Sequence, residues 1–304
     1  MQKIYKLSPA LKDNIWGGNK LRGYGKESDK DRIAESWELS FTSGGEAEVD
    51  GKKTTELFDK ESWGTNCERF HAFPVLTKFI DAREKLSVQV HPSDEYALKN
   101  EGQFGKTEMW YVVEAEEGAG LYMGLERECG SDEFAAAVAD GTVEKLLSFK
   151  EVKRGDVYFI PSGTIHAIGA GALIFEIQQN STLTYRLYDY MRRDKDGNLR
   201  ELHVDKAMKV SLLEPYKEQV FDKNNESLIG ICEYFETRKY KLNFTNKTFN
   251  VQNDSFLSIT CVGGSGEIEG EKITLGDTFF IPAGRGEITV FGDLEIIAVS
   301  VPKI

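Results

Sequence analysis

Histidine is scarce in this chain: four among 304 residues, at positions 71, 91, 166 and 203, and none beyond. Any imidazole chemistry must come from that short set. Cysteine is equally sparse. Cys67, Cys129, Cys232 and Cys261 form no C-x-x-C pair, which excludes a zinc ribbon and a thioredoxin-like motif. Four in a chain of this size are also too few for a disulfide scaffold, so they read as buried, reduced thiols of a cytoplasmic protein. No run of 18 apolar residues occurs, and the opening MQKIYKLSPALKDNIWGG lacks the apolar core of a signal peptide. Basic residues are outnumbered, with 38 Lys and Arg against 50 Asp and Glu, a net charge of -12. A surface this acidic repels phosphate backbones and anionic lipid, so neither nucleic acid nor a membrane is expected as a partner.

What is present is an ordinary globular composition, 40% hydrophobic and 29% charged. At about 150 residues per domain the length suggests two domains. Most apolar segments are short, rich in β-branched and aromatic residues, and bounded by Gly, Asp or Asn. They include residues 36–41, 75–80, 86–90, 109–113, 156–160, 173–177 and 182–188, then 256–262, 277–281, 288–291 and 294–301. Many short strands at close spacing predict a sandwich or barrel. Helical patterns are few: 134–139 with Ser131 as N-cap, 142–149, 203–213, and a turn or two over 93–100 capped by Ser93. The stretch Asp222–Glu226 is the most linker-like.

A segment repeats. Gly155-Asp-Val-Tyr-Phe-Ile-Pro-Ser-Gly163 returns 121 residues later as Gly276-Asp-Thr-Phe-Phe-Ile-Pro-Ala-Gly284, with six of nine positions identical. Tyr158 against Phe279 keeps an aromatic ring at a further position. Each copy reads as a Gly-Asp turn, a buried strand and a Pro-x-Gly turn. Two β modules are therefore expected, 1–220 and 221–304, joined near 214–235. Three residues past the final glycine the first copy carries His166 and the second Glu287. The second module cannot build a histidine metal site and reads as structural.

Gln89 and His91 share one face of the strand LSVQVHP with Ser87, because alternate residues of a strand point the same way. Lys106 and Glu108 likewise share a face leading into MWYVV, and His166 follows the Pro-x-Gly turn. Two imidazoles and a carboxylate are a common ligand set for a divalent metal, to which an amide oxygen can add a fourth ligand. His91, His166, Glu108 and Gln89 leave positions open for water or substrate oxygens. On the strand 172–178, Glu176 shares a face with Ile174 and Gln178. A carboxylate on an apolar strand is costly unless paired, which predicts a bridge to Arg186 and places the two close together.

The order Q-x-H, E, G-x5-P-x-G-x2-H resembles the cupin signature, with Gly155 to His166 matching its second motif position for position. The first motif departs from it, since Gln89 stands where a His is usual and sixteen residues separate His91 from Glu108. This departure resembles the type I phosphomannose isomerases in their short bacterial form. The other matching segments are Ile15–Gly18 (IWGG), Ala34–Glu38 (AESWE), the Q-V-H-P strand, Lys106-Thr-Glu108 and Gln179–Arg186 (QNSTLTYR). The resemblance implies an all-β fold with a few short helices, built as two cupin (jelly-roll β-barrel) modules, the catalytic one first and a degenerate one second. It implies a metal-dependent aldose–ketose isomerase acting on mannose 6-phosphate and fructose 6-phosphate through an enediol(ate). By position its ligands for one Zn2+ per chain, or another divalent metal, correspond to Gln89, His91, Glu108 and His166. Its active-site residues correspond to Arg186, Lys106, Ser87 and Glu176. Arg186 pairs with the enediolate or the phosphate, Ser87 with a phosphate or hydroxyl, and Lys106 with phosphate or a proton. Glu176 and Lys106 are both candidates for the base.

Two other functions use the same residues. An iron-dependent cupin oxygenase fits two His and a carboxylate, and a non-enzymatic sugar-binding cupin keeps the fold. The Gln89 ligand and the Lys106/Arg186 pair favour an anionic sugar over dioxygen. His71 and His203 read as structural or surface residues, Trp16 as a wedge between the N-terminal segment and the barrel, and Asp189 as a residue that orients Arg186 or nothing at all. Tyr185, Tyr188 and Tyr190 line a cleft or pack in the core.

Overall fold

The computed structural model describes residues 3–194, 196–221, 225 and 227–304. Its named strand pairs are antiparallel throughout. A six-stranded sheet runs in the order Val157–Ile160, Glu108–Ala115, Ala172–Gln179, Val75–Ala82, Glu35–Leu39, Ala10–Lys12. A five-stranded sheet runs Leu147–Glu151, Gly120–Leu125, His166–Ile168, Val88–Val90, Tyr185–Tyr188. Their inner faces meet in one apolar cluster, where Ile80, Trp110, Val112 and Ile174 of the first pack with Leu121, Met123 and Ile168 of the second.

The other face of the six-stranded sheet is also covered. Met109, Tyr111, Val113, Phe79, Phe175 and Ile177 pack against Phe256, Phe280, Ile297 and Val299 of the C-terminal strands. Burial on both faces explains why VLTKFIDA and ALIFEIQQ read as near-continuous apolar runs. It also marks the even-numbered Lys78, Glu108 and Glu176, which point inward, as exceptions that need partners.

The C-terminal residues form a seven-stranded sheet of Thr278–Ile281, Leu257–Ile268, Gly286–Ser300, Glu236–Val251, Leu228–Ile231 and Glu271–Thr274, completed at one edge by the N-terminal strand Tyr5–Leu7. Its own core is aliphatic, built of Ile259, Ile268, Ile273, Ile281, Ile288, Val290 and Ile296. Glu287, at the position corresponding to His166, is exposed.

The repeat is structural as well as textual. Gly155 and Gly276 lie at φ 94° and 89°, and Gly163 and Gly284 at 88° and 79°, a region open to glycine at no steric cost. Asp156 Oδ2 accepts from Lys153 N and Asp277 Oδ2 from Thr274 N, both at 2.9 Å. The strands between are Val157–Ile160 and Thr278–Ile281.

The elements depart from the sequence reading at a few places. The expected helix over 142–149 is a 3-10 turn, Val143–Leu146, followed by the strand Leu147–Glu151. Pairing with Gly120–Leu125 overrides the local propensity there. Ser131 begins the helix Ser131–Ala139 rather than capping it, and Gly130 holds the cap position. Ser93 does cap Asp94–Glu101, its Oγ accepting from Tyr96 N at 3.5 Å. The helix expected over 203–213 spans Val204–Val210. The two strands expected over 288–301 form one, Gly286–Ser300, because Gly292 passes close beside Gly266 instead of turning the chain. Of Asp222–Glu226 only Asn225 lies within the described residues. The four cysteines are unpaired. No helix among the described residues is long and apolar enough to cross a membrane.

Candidate metal centre and active-site cavity

Strand register brings the residues of the centre together. His166 sits opposite Gln89 across one strand pair, and Gln89 opposite Arg186 across the next. On the facing sheet Trp110 lies opposite Glu176, Glu176 opposite Lys78, and Lys78 opposite Trp37. One end of this double row brings together His91, Glu108 and His166, all buried, with ligand atoms within 4.8 Å of one another. His166 Nε2 is 3.3 Å from Glu108 Oε1 and His91 Nε2 is 3.5 Å from Oε2.

Backbone carbonyls fix both rings. His91 Nδ1 lies 2.9 Å from Leu183 O, and His166 Nδ1 2.9 Å from Thr164 O. Each Nδ1–H is thereby committed to a carbonyl, and each Nε2 lone pair is turned toward the other ring and Glu108, the arrangement that prepares histidine as a ligand. Burial and the Lys106 charge push His166 down to about 4. His91 is lowered well below its usual range by burial, Lys106 and His166. Both imidazoles are therefore neutral and available as donors at neutral pH.

Glu108 is fully buried, and its Oε1 receives no hydrogen bond among the described residues. Its polar contact is the Lys106 ammonium, 2.5 Å from Oε2. Burial and the Glu176 charge raise its pKa. A buried carboxylate with unfilled lone pairs between two neutral imidazoles is the donor set a divalent cation fits. Gln89 completes the ring, its Nε2 3.4 Å from His166 Nε2; a half-turn of the amide presents the oxygen to the same point.

Beside this centre lies a cavity of about 310 Å³. Its wall carries Lys78, Lys106, Arg186 and Arg200 against Glu35 and Glu176, along with Ser87, Gln89 and Trp16. Four cations face two carboxylates within a molecule whose net charge is -12. Glu176 Oε1 sits 3.1 Å from Lys78 Nζ and 3.5 Å from Lys106 Nζ, while Trp110 Nε1 donates to Oε2 at 2.7 Å. Burial would raise its pKa, but the two ammoniums and the indole outweigh burial and hold it low. Glu35 is held by Asn14 Nδ2 at 3.0 Å and Trp37 Nε1 at 2.7 Å.

The expected bridge from Glu176 to Arg186 is not made. They stand on different sheets, and Glu176 takes its cross-strand neighbour Lys78 instead. Arg186 donates from Nε to Ser87 Oγ at 3.3 Å and from Nη1 to Glu201 O at 2.8 Å. Asp189 pairs with Arg192 and Arg200, not with Arg186. His203 accepts the Arg186 backbone N–H at 3.3 Å, and His71 is exposed. Tyr185, Tyr188 and Tyr190 pack with the helices rather than lining the cavity.

The matching segments earn their places by packing. A Cβ at Gly17 would fall 2.4 Å from Ala34 Cβ, and one at Gly18 2.4 Å from Asp81 Oδ2, so IWGG lies flat on the sheet and delivers Trp16 to the cavity wall. In QNSTLTYR, Gln179 Oε1 accepts Thr107 N at 2.7 Å, and the Leu183 carbonyl orients His91. Sequence reasoning missed Lys78 and Arg200. For Lys78 the signal was available: a lysine in an otherwise apolar strand. For Arg200, in a polar loop, there was none.

A jelly-roll barrel that buries a His–Glu–His centre and opens it onto a cationic cavity defines a cupin-type metal site suited to an anionic ligand. Comparison with known proteins narrows that class. Residues 4–118 match the family model for the phosphomannose isomerase type I catalytic domain, and residues 225–301 that for the mannose-6-phosphate isomerase cupin domain. The mannose-6-phosphate isomerase ManA of Bacillus subtilis (strain 168) is 37% identical over 96% of each chain. The mannose-6-phosphate isomerase of Streptococcus mutans serotype c is 35% identical over 96% of each chain. The crystal structure of the mannose 6-phosphate isomerase from Bacillus subtilis aligns with a TM-score of 0.88 at 34% identity, over 98% of this chain and 99% of that one. A mannose 6-phosphate isomerase solved with zinc and yttrium bound shares the fold at 16% identity and a TM-score of 0.80, over 99% of this chain and 100% of that one. The chain belongs to the type I phosphomannose isomerase family. That membership sets aside the oxygenase and the non-enzymatic reading.

Proposed function

We propose the following division of labour for the interconversion of mannose 6-phosphate and fructose 6-phosphate. His91, Glu108 and His166, with Gln89 as a fourth donor, hold one Zn2+ per chain. That ion supplies concentrated positive charge to the sugar oxygens that become negative when a proton leaves carbon. The observation that carries this reading is a buried Glu108 whose Oε1 has no hydrogen-bond partner among the described residues, set between two imidazoles whose Nδ1 atoms are already committed.

The reaction moves a carbon-bound proton between C2 and C1 and a hydroxyl proton between O2 and O1, through an enediolate. Lys106 and Glu176 flank the metal end of the cavity in ion-pair contact, and we assign them the proton transfer. An ammonium and a carboxylate in contact can pass a proton to and from the sugar without leaving a net charge stranded in the cavity. Lys106 also binds a sugar oxygen. Arg186, with the rest of its five-donor fork uncommitted, and Ser87 beside it bind the anionic end of the substrate. His166, Gln89 and Arg186 lie on successive strands about 4.8 Å apart, so the backbones at the two ends are separated by ~10 Å, a span that suits a hexose phosphate. Trp16 closes the apolar side of the cavity.

The division at 1–220 and 221–304 gives the first module the chemistry and leaves the second as an apolar-cored support, a reading favoured by its aliphatic interior and exposed Glu287. Four unpaired cysteines suit a cytoplasmic setting. The test is an assay of fructose 6-phosphate formed from mannose 6-phosphate by the zinc-loaded protein. Wild type is expected to turn over, and His91→Ala and His166→Ala to lose at least ~100-fold. Wild-type kinetics in both variants would contradict the ligand assignment. A zinc-loaded wild type no faster than buffer would contradict the reaction.

A further inference from the structure

The cavity wall holds more positive charge than the reading above uses. After Arg186 the chain leaves the sheet and turns through Tyr190 and Met191, both at φ 56°. It returns through a bridge between Arg193 and Leu199, and His203 N closes on Arg186 O at 2.7 Å. Consecutive non-glycine residues in the left-handed region are strained, and the fold tolerates them where they carry Arg200 back to the cavity beside Arg186.

The charges along this excursion do not balance. Asp189, buried, contacts Arg192 Nη2 and lies 3.4 Å from Arg200 Nη1, both through Oδ1, while its Oδ2 has no hydrogen-bond partner. Glu201 gives Arg186 only its backbone carbonyl; its side chain is 83% exposed. Arg192 and Arg200 thus share one buried carboxylate, and Arg186 makes no ion pair with any carboxylate among the described residues. Arg192 is turned to the Lys85 carbonyl at 2.5 Å, which leaves Arg186 and Arg200 as the pair that lines the cavity. Burial and the Arg200 charge both lower the Arg186 pKa, the signature of like charges held together out of water.

We propose that Arg200 is a substrate-binding residue: with Arg186 it clamps the phosphate dianion and sets the preference for a phosphorylated hexose over the free sugar. The proposal rests on the isomerase reading and adds to it the residue that recognises the phosphate. Each guanidinium lining the cavity presents its own planar fork of donors to phosphate oxygens, and a dianion relieves the repulsion between the two.

The experiment measures inorganic phosphate binding by calorimetry, and separately kcat and KM for mannose 6-phosphate and for unphosphorylated mannose. Arg200→Gln is expected to weaken inorganic phosphate binding and raise KM for mannose 6-phosphate by about 10- to 100-fold, with little change in kcat or in the rate on free mannose. Arg200→Lys, which keeps the charge without the fork, is expected to fall between, and it carries the comparison if Arg200→Gln does not fold. Folded variants that bind phosphate as wild type does, while wild type isomerises normally, overturn the clamp and leave Arg200 a structural partner of Asp189. A wild type that binds phosphate through Arg200 but does not isomerise would instead overturn the isomerase reading and leave the clamp standing.

Discussion

Lys78 offers the sharpest test of how the cavity is held together. Its ammonium lies 3.1 Å from Glu176 Oε1 and 3.6 Å from Glu35 Oε2, with a side chain only 12% exposed. At an effective dielectric constant of about 20, two unit charges at that separation attract by about 5 kcal/mol before desolvation. Removing one partner of a buried pair costs about 3–5 kcal/mol because the other charge is left uncompensated. Glu176 keeps Lys106 and the Trp110 indole, so Lys78→Met is expected at the low end, about 3 kcal/mol. Glu176→Gln should cost a similar amount, because it leaves Lys78 only the longer contact to Glu35. The double variant should cost less than the sum, with a coupling of about 2 kcal/mol. Equilibrium urea unfolding of the four metal-free proteins completes the cycle. Costs that add within ~0.5 kcal/mol would show that Lys78 and Glu176 do not act as a unit and would refute the reasoning.

Other consequences follow from the same geometry. Because His166 is held neutral down to about 4, the unfolded state takes up a proton between the unperturbed histidine range, about 6.5, and 4 while the native state does not. The metal-free protein should therefore lose up to ~3 kcal/mol from this residue on acidification through that window, partly offset by Glu108, whose raised pKa acts in the opposite sense. Thermal unfolding against pH checks it: the His166→Gln variant should show a flatter acid slope, and an unchanged slope would count against a buried neutral ring. Gly163→Ala and Gly284→Ala put the same strain, about 1–2 kcal/mol, into the two copies of the turn. Both should lower the melting temperature, but only Gly163→Ala should weaken zinc binding, since Gly163 N donates to His91 O at 2.8 Å. Equal effects on zinc would argue against a support role for the second module. Lys106→Met and Arg186→Met should each lower kcat/KM by ~100-fold or more, whereas a distant exposed lysine such as Lys303 should tolerate the same change. Wild-type kinetics in both cavity variants would remove them from the site.

The sequence carried much of this because strand periodicity and turn chemistry are local. Gln89 and His91, Lys106 and Glu108, and the two Gly-Asp…Pro-x-Gly segments could be read without the fold. What could not be read was partnership across strands. Glu176 and Arg186 lie ten residues apart, yet the chain crosses from one sheet to the other between them, and Lys78, almost a hundred residues earlier, is the one in register. Arg200 escaped because a loop has no periodicity to say which way it returns. The helix expected over 142–149 failed for a related reason: the edge of Gly120–Leu125 needed a partner, and pairing outweighed propensity.

The central claim is that His91, Glu108 and His166 hold one divalent ion on which isomerisation depends. Titrating zinc into chelator-treated protein, with metal content and mannose 6-phosphate turnover read on the same samples, tests it most directly. Activity should rise linearly from near zero, level off at one equivalent per chain, and fail to rise in Glu108→Gln. Full activity in protein carrying no metal, or a normal titration in Glu108→Gln, would contradict the account.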